Sequence, residues 1–129
     1  MKANHLPKPT EAELAILQVL WDRGPSSVRQ VQDVLETERG TGYTTTLKLM
    51  QIMFEKGLLT RDDSNRSHIY AAAVSRHKTQ RRFVKEMLDQ VFAGSARQLV
   101  MQALAARKST PDELNEIRKM IDELQRGQS

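Results

Sequence analysis

The sequence contains no cysteine, few aromatic residues and no long apolar run. Without cysteine there can be no disulfide bond, thiolate metal site or cysteine nucleophile. With one tryptophan, two tyrosines and three phenylalanines among 129 residues, the core must be largely aliphatic, which suits packed helices. The apolar runs are far shorter than the roughly 20 residues of a membrane-spanning helix, and the N-terminus lacks an apolar stretch of signal-peptide length. We therefore expect a cytoplasmic protein.

Residue patterns typical of catalysis are also missing. The sequence has three histidines, His5, His68 and His77. They do not have the spacing of metal ligands, and Gly40-Thr41-Gly42 lacks the third glycine of a phosphate-binding loop. The acidic pairs Asp62-Asp63 and Asp112-Glu113 are explained as turn and helix-cap residues. We expect no enzyme, no metal site and no cofactor.

The positive charge is modest and unevenly distributed. The chain has 20 basic and 16 acidic side chains, a formal net charge of +4. Residues 1–74 hold nine of each sign, whereas residues 75–129 hold eleven basic and seven acidic side chains. A basic excess favours a nucleic-acid partner. Because the first part is neutral, a nucleic-acid contact there must depend on a local patch.

The first half of the sequence predicts three helices followed by a β-hairpin. The capping box Thr10–Glu13 starts a first helix that ends at Gly24-Pro25. A second helix covers residues 27–37, and a third covers about residues 43–56. Two β-like runs around the polar turn 62–65 predict the hairpin. This order of elements is that of a winged helix-turn-helix.

The third helix has the features of a DNA-recognition helix. No acidic residue occurs between Arg39 and Glu55, and the apolar stripe of the helix leaves small hydrogen-bond donors facing outward. Such a surface suits the major groove, while the hairpin would lie along the phosphate backbone. The expected DNA-binding residues are Tyr43, Thr44, Thr45, Lys48, Gln51, Arg61, Arg66 and His68. The alternatives are an ordinary solvated helix face and a plain solvated turn.

The second half predicts three further helices that associate with a second copy of the chain. Ser75, Ser95 and Thr110 are typical N-caps, and the last helix spaces its apolar residues like a coiled-coil seam. Because so short a segment cannot bury all its apolar faces within itself, we expect a symmetric homodimer. The expected dimerisation residues are Phe83, Met87, Leu88, Val91, Phe92, Leu99, Val100, Leu104, Leu114, Ile117, Ile121 and Leu124.

The expected fold is therefore mostly α with a small β-hairpin, in two parts. Residues 1–74 form the winged helix-turn-helix DNA-binding domain, and residues 75–129 form a three-helix homodimerisation arm. The basic cluster at residues 76–82, where the arm begins, has two interpretations. It either touches flanking phosphates or is the exposed face of an amphipathic helix.

Several segments together resemble the BlaI/MecI/CopY family of bacterial winged-helix repressors, from about Leu6 to Leu124. These segments are residues 9–14, 20–21, 28–35, 42–47, 53–59, 69–70, 92–95 and 99–100. The resemblance implies a homodimer with one recognition helix on each half of a palindromic operator. In the β-lactam-resistance branch of the family, a membrane sensor protease triggers cleavage of the repressor in its dimerisation part, which weakens DNA binding, and the resemblance implies the same regulation here.

Departures from the family pattern concern regulation and the operator. Gln102-Ala103 stand at the positions that match the family's cleaved Asn-Phe pair, so cleavage there would require a protease of different preference. The lack of cysteine excludes the C-terminal cysteine cluster of the copper-responsive branch. Leu47 stands where some relatives carry a basic residue, so the operator sequence of those relatives does not transfer.

Two other classes of function stay open on the sequence alone. The neutral first part favours a winged-helix protein-interaction module that does not bind DNA. A regulator that binds a small effector between the arm and the winged domain is the other alternative. The arm shows no convergent polar cluster that favours such a pocket.

Overall fold

The computed structural model describes residues 6–128, which contain six helices and three short strands. In chain order these are α1 (Glu11–Arg23), β1 (Ser26–Ser27), α2 (Val28–Arg39), α3 (Tyr43–Lys56), β2 (Leu59–Asp62), β3 (Ile69–Ala72), α4 (Arg76–Gln90), α5 (Ala96–Ala106) and α6 (Pro111–Gln128). The chain divides into two compact units, before and after the junction of Arg82 and Phe83. The mostly helical fold with a small hairpin is confirmed.

The sheet has three antiparallel strands in the order β1-β3-β2. The predicted hairpin is present as β2 and β3, with Leu59 opposite Ala72 and Asp62 opposite Ile69. The strand β1 pairs Ser26 with Tyr70 on the other edge of β3. We did not predict β1, because two serines carry no alternating apolar pattern.

Helix ends in the first unit follow the local capping signals. Thr10 Oγ1 accepts the Glu13 N–H at 3.2 Å, and Glu13 Oε1 accepts the Thr10 N–H at 3.0 Å. Helix α2 ends at Arg39 rather than before residue 38, because the left-handed Gly40 (φ 69°) is where the chain can leave the helix. The prediction for the end of α2 was therefore wrong by two residues, whereas the C-cap at Gly57 is confirmed.

The core of the first unit is aliphatic and lies between α1, α2, α3 and the sheet. Its fully buried members include Ile16, Leu17, Val31, Met50, Met53 and Tyr70. Thr46 is also fully buried, which the apolar stripe did not predict. Its hydroxyl donates to the Gly42 carbonyl oxygen at 3.0 Å. The polar group is thus satisfied within α3 and can be buried without losing a hydrogen bond.

A buried carboxylate joins the start of α1 to the end of α3. Glu13 is 2% exposed, and its Oε2 lies 2.7 Å from Nζ of Lys56. Burial raises the pKa of the Glu13 carboxyl, but hydrogen bonds from Lys56 and Thr10 and the charge of Lys56 together outweigh burial and lower it. The ion pair therefore fixes the C-terminal end of α3 against α1.

The first turns of α4 pack on the first unit. The Trp21 indole N–H donates to the Val74 carbonyl at 2.9 Å, and Arg76 pairs with Asp22. Arg82 donates to the Leu6 carbonyl at 2.6 Å. The first compact unit thus extends beyond residue 74. The division into a DNA-binding and a dimerisation part stays a prediction.

The second unit leaves much of its apolar surface exposed. Helix α4 ends at Gln90, and Val91 and Phe92, predicted to be helical, lie in the closing turn before Gly94. Among the described residues, α5 and α6 contain no buried side chain. Val91 is 69% exposed and Met120 is 61% exposed. These faces are therefore available for association.

We predict that Glu13→Gln lowers the free energy of unfolding by about 2 kcal/mol near neutral pH. Glutamine can keep the helix cap, but it loses the charged hydrogen bond to Lys56. Because the folded pKa lies below the unfolded one, this stabilisation is complete above the unfolded pKa and disappears as pH falls through the folded pKa. Urea denaturation should therefore give a difference between variant and wild type that shrinks from about pH 7 to about pH 3.

Glu11→Gln is the matched control, since Glu11 starts the same helix and is 90% exposed in its pair with Arg39. This control should change stability little. A loss as large as that of Glu13→Gln, or a difference that grows toward acid, would contradict the role given to the buried pair.

Candidate nucleic-acid interface

Helix α3 exposes the face that the sequence predicts for DNA contact. Met50 and Met53 anchor the opposite face in the core. The predicted DNA-binding residues of this helix are all exposed, namely Tyr43, Thr44, Thr45, Lys48 and Gln51. The structure thus brings five of the eight predicted residues together on one helix. Their contact with DNA stays a prediction.

This face of α3 is free of negative charge along most of its length. Its first turn contains no acidic side chain, and Gly42 offers no side-chain cap to the amides there. Within the described part of the chain, Lys48 forms no ion pair. The face therefore presents hydroxyl, amide and ammonium donors that an acceptor-rich ligand can reach.

One basic side chain beside this face was missed by the sequence analysis. The guanidinium carbon of Arg29, on α2, lies 5.2 Å from the centre of the Tyr43 ring. Arg29 is exposed. Its position in the second helix gave no signal of a contact with the third, because only the packing of α2 on α3 brings the two side chains together.

The hairpin holds its three predicted residues in different environments. Arg61 lies with its guanidinium carbon 4.2 Å from the centre of the Phe54 ring. Its Nε is 2.7 Å from Oδ1 of Asp63, whose carboxylate also lies 3.6 Å from Nδ1 of His68. The carboxylate of Asp63 and then the hydroxyl of Tyr70 raise the pKa of Arg61. Arg61 is therefore committed to contacts within the protein.

The tip of the hairpin is more open. Arg66 and His68 are exposed, and Arg66 has no ion pair with any residue from 6 to 128. Asp62 accepts the Ser64 N–H at 2.9 Å, and the contacts with Ser64 lower the pKa of the Asp62 carboxyl. Of the two predicted arginines, Arg66 is thus the one that a phosphate can reach without displacing a carboxylate.

The basic cluster at the start of α4 is only partly available. Arg76 pairs with Asp22, and its guanidinium carbon lies 5.6 Å from the centre of the Trp21 ring. Arg82 is held by the Leu6 carbonyl. The cluster's other members, His77, Lys78 and Arg81, are exposed. At least two of the basic groups therefore serve the packing of α4, which the sequence did not distinguish.

Over the described residues there is no group of three or more side chains that could hold a metal ion. His5 lies outside those residues. In the part of the chain that the structure covers, no helix has both the length and the apolar character to cross a membrane.

The sequence profile of the family described as "Penicillinase repressor" matches residues 9–123. The chain belongs to this family. Membership confirms the resemblance found in the sequence, and it makes the chain a winged-helix transcriptional repressor rather than an enzyme.

Two curated relatives and one solved structure illustrate the similarity. The "Transcriptional regulator BlaI" of Mycobacterium tuberculosis (strain ATCC 25618 / H37Rv) is 29% identical over 118 residues, covering 91% of this chain and 85% of the relative. The "Methicillin resistance regulatory protein MecI" of Staphylococcus aureus (strain N315) is 19% identical over 113 residues, covering 88% and 92%. The solution structure of the DNA-binding domain of the repressor BlaI matches with a TM-score of 0.51 and 21% identity, over 59% of this chain and 90% of that one. This last likeness confirms the fold of the first unit.

We predict that Asp63→Asn strengthens DNA binding modestly. Without the carboxylate, the Arg61 guanidinium can turn toward phosphate. Because the pair is only partly shielded from water, with the Arg61 side chain 24% and the Asp63 side chain 52% exposed, the gain in affinity is limited to about fivefold. One additional phosphate contact should steepen the dependence of log affinity on log salt by about 0.9 for each Arg61 in the bound species. Fluorescence anisotropy of a labelled duplex measures both quantities.

Asp62→Asn is the control, because it removes the same charge from the adjacent residue without releasing an arginine. An equal gain in DNA affinity for both variants would mean that each change only relieves the repulsion between a carboxylate and the DNA phosphates. A weaker complex with Asp63→Asn would mean that Asp63 holds Arg61 in its binding orientation. Either result would contradict the competition between Asp63 and phosphate.

Proposed function

We propose that the chain is a sequence-specific DNA-binding repressor that acts as a homodimer on a palindromic operator. The observation that supports it most directly is the exposed face of α3 within a winged-helix unit, which carries no acidic side chain from Tyr43 to Phe54. The matching fold in the solved structure is described as the DNA-binding domain of BlaI. A repressor of this family that binds chromosomal DNA would work in the cytoplasm.

Base recognition is assigned to the exposed face of α3. The hydroxyls of Thr44 and Thr45 can bond base edges or phosphate, and their methyl groups can contact thymine methyls. Lys48 suits a guanine edge or a phosphate, and Gln51 suits an adenine edge. Arg66 on the hairpin would reach the phosphate backbone, which fixes orientation without reading sequence.

Dimerisation is assigned to the second unit. The exposed apolar side chains there include Met87, Val91, Val100, Leu104, Leu114, Ile121 and Leu124, all of them among the predicted dimerisation residues. The other predicted dimerisation residues are half-buried, namely Phe83, Leu88, Phe92, Leu99 and Ile117. Apolar surface of this extent on a repressor favours a two-fold dimer, because a second copy buries the same faces on both chains.

Release by a membrane sensor protease is the regulatory part of the proposal and is supported by family membership. Gln102 and Ala103 lie inside α5 and are exposed. Since a protease binds its substrate in an extended form, cleavage at this pair would require α5 to open locally. Cleavage within the arm would separate the two protomers, and each monomer alone would make only half of the dimer's contacts with the operator.

DNA binding by the full-length chain tests the proposal. Anisotropy titrations would compare a duplex from upstream of its own gene with a scrambled duplex, at several salt concentrations. We expect tighter binding to the first duplex, a steep salt dependence and two chains per site. Equal, weak binding to both duplexes would favour the winged-helix protein-interaction module instead.

We predict that Lys48→Ala weakens operator binding by about 1–3 kcal/mol if Lys48 reads a base. If Lys48 contacts only phosphate, the loss should be similar on the operator and the scrambled duplex. Competition anisotropy measures both losses, with Lys119→Ala on α6 as the charge-matched control. Unchanged affinity of Lys48→Ala would remove this residue from the interface.

We predict that Ile121→Asp dissociates the dimer, because a carboxylate would be buried without a partner in an apolar interface. Sedimentation velocity should show a shift from dimer to monomer, together with weaker operator binding. Asn115→Asp, which adds the same charge at an exposed polar position of α6, should stay dimeric. A dimeric Ile121→Asp chain would contradict the placement of the interface on this seam.

A further inference from the structure

Arg29 is a cation beside the α3 face that pairs with no carboxylate among the described residues. Two other basic side chains of the first unit form ion pairs with carboxylates: Arg39 with Glu11 and Lys56 with Glu13. Arg29 has no such pair. Its charge is therefore available to an external anion.

In the first turn of α2, the helix cap does not use the polar side chain of Arg29. Gln30 is held by the cap, since its Oε1 accepts the Ser27 N–H at 2.9 Å. Ser27 Oγ accepts the Gln30 N–H at 3.2 Å. The neighbouring Val28 is buried. The cap and the core thus account for the residues around Arg29, but not for Arg29 itself.

The Arg29 guanidinium lies against the Tyr43 ring. The guanidinium carbon lies 5.2 Å from the ring centre, a distance typical of a cation–π contact. Tyr43 begins α3 and is 42% exposed, next to the exposed Thr44 and Thr45. A planar guanidinium that uses one face against a ring keeps its N–H groups available around its rim. Arg29 is therefore positioned at the edge of the predicted groove-binding face.

We propose that Arg29, supported by Tyr43, binds a backbone phosphodiester of the DNA beside the recognition helix. The ligand is the anionic phosphate itself, so the contact is independent of base sequence and sets the register of α3 in the groove. This inference rests on the proposed function, because it requires that the α3 face meets DNA.

Arg29→Gln in the full-length chain tests the site against both the upstream duplex and the scrambled duplex. We expect a similar, several-fold loss of affinity on each. The plot of log affinity against log salt should become shallower by about 0.9 for each Arg29 in the bound species. Arg97→Gln, which removes the same charge from an exposed position on α5, should leave affinity and slope unchanged.

A double-mutant cycle with Tyr43 tests the support of the guanidinium by the ring. In the wild-type background Tyr43→Leu should cost more affinity than in the Arg29→Gln background, whereas Tyr43→Phe should cost the same in both. Arg29→Lys keeps the charge without the planar group, so it should retain the salt slope and lose part of the affinity. Thermal unfolding of each variant separates these effects from loss of the fold.

Three results would overturn the phosphate site. Affinity of Arg29→Gln equal to wild type would remove Arg29 from the interface. A loss confined to the upstream duplex, with an unchanged salt slope, would make Arg29 a base-reading residue. Additive effects of the Tyr43→Leu and Arg29→Gln changes would remove the ring from the site. If the wild-type chain bound neither duplex, the proposed function would fail, whereas loss of the Arg29 effect alone would leave that function standing.

Discussion

The burial of one side of α3 is the constraint on which the proposed interface depends. Met50 and Met53 are fully buried against the rest of the first unit, so the orientation of α3 about its own axis is fixed. The Glu13–Lys56 pair secures the C-terminal end of the helix from α1. Because side chains on a helix recur with a fixed period, the same packing that buries the methionines presents Thr44, Lys48 and Gln51 outward.

The first unit has no large excess of basic over acidic side chains, and several of its charged groups form ion pairs. Four of its carboxylates are held close to basic groups, among them Asp22 with Arg76 and Asp63 with Arg61. A nearly neutral domain can therefore present a local surface without carboxylates. On such a surface Lys48 and Arg29 act with little opposing charge, and short-range contact with phosphate does not require a large net charge.

Much of the fold could be predicted because its signals are local. The capping box at Thr10 and the C-cap at Gly57 each depend on a few neighbouring residues, and both mark helix ends in the structure. The prediction failed where pairing is long-range. Strand β1 exists only through its pairing with Ile69 and Tyr70 of β3, and the contact of Arg29 with Tyr43 depends on helix packing. The pair of Arg61 with Asp63 is local, but the sequence does not show which basic side chain of the hairpin Asp63 holds, so it did not distinguish Arg61 from the open Arg66.

Hydroxyl-radical footprinting of the chain on DNA from upstream of its own gene would show directly whether a dimer places one α3 on each half of a palindrome. We expect two protected half-sites related by two-fold symmetry, with centres about one helical turn or a multiple of it apart. Ile121→Asp should lose this paired pattern at concentrations where the wild-type chain protects both halves. A single unsymmetrical footprint that Ile121→Asp leaves intact, or no protection at all, would contradict a dimer that places one α3 on each half of a palindrome.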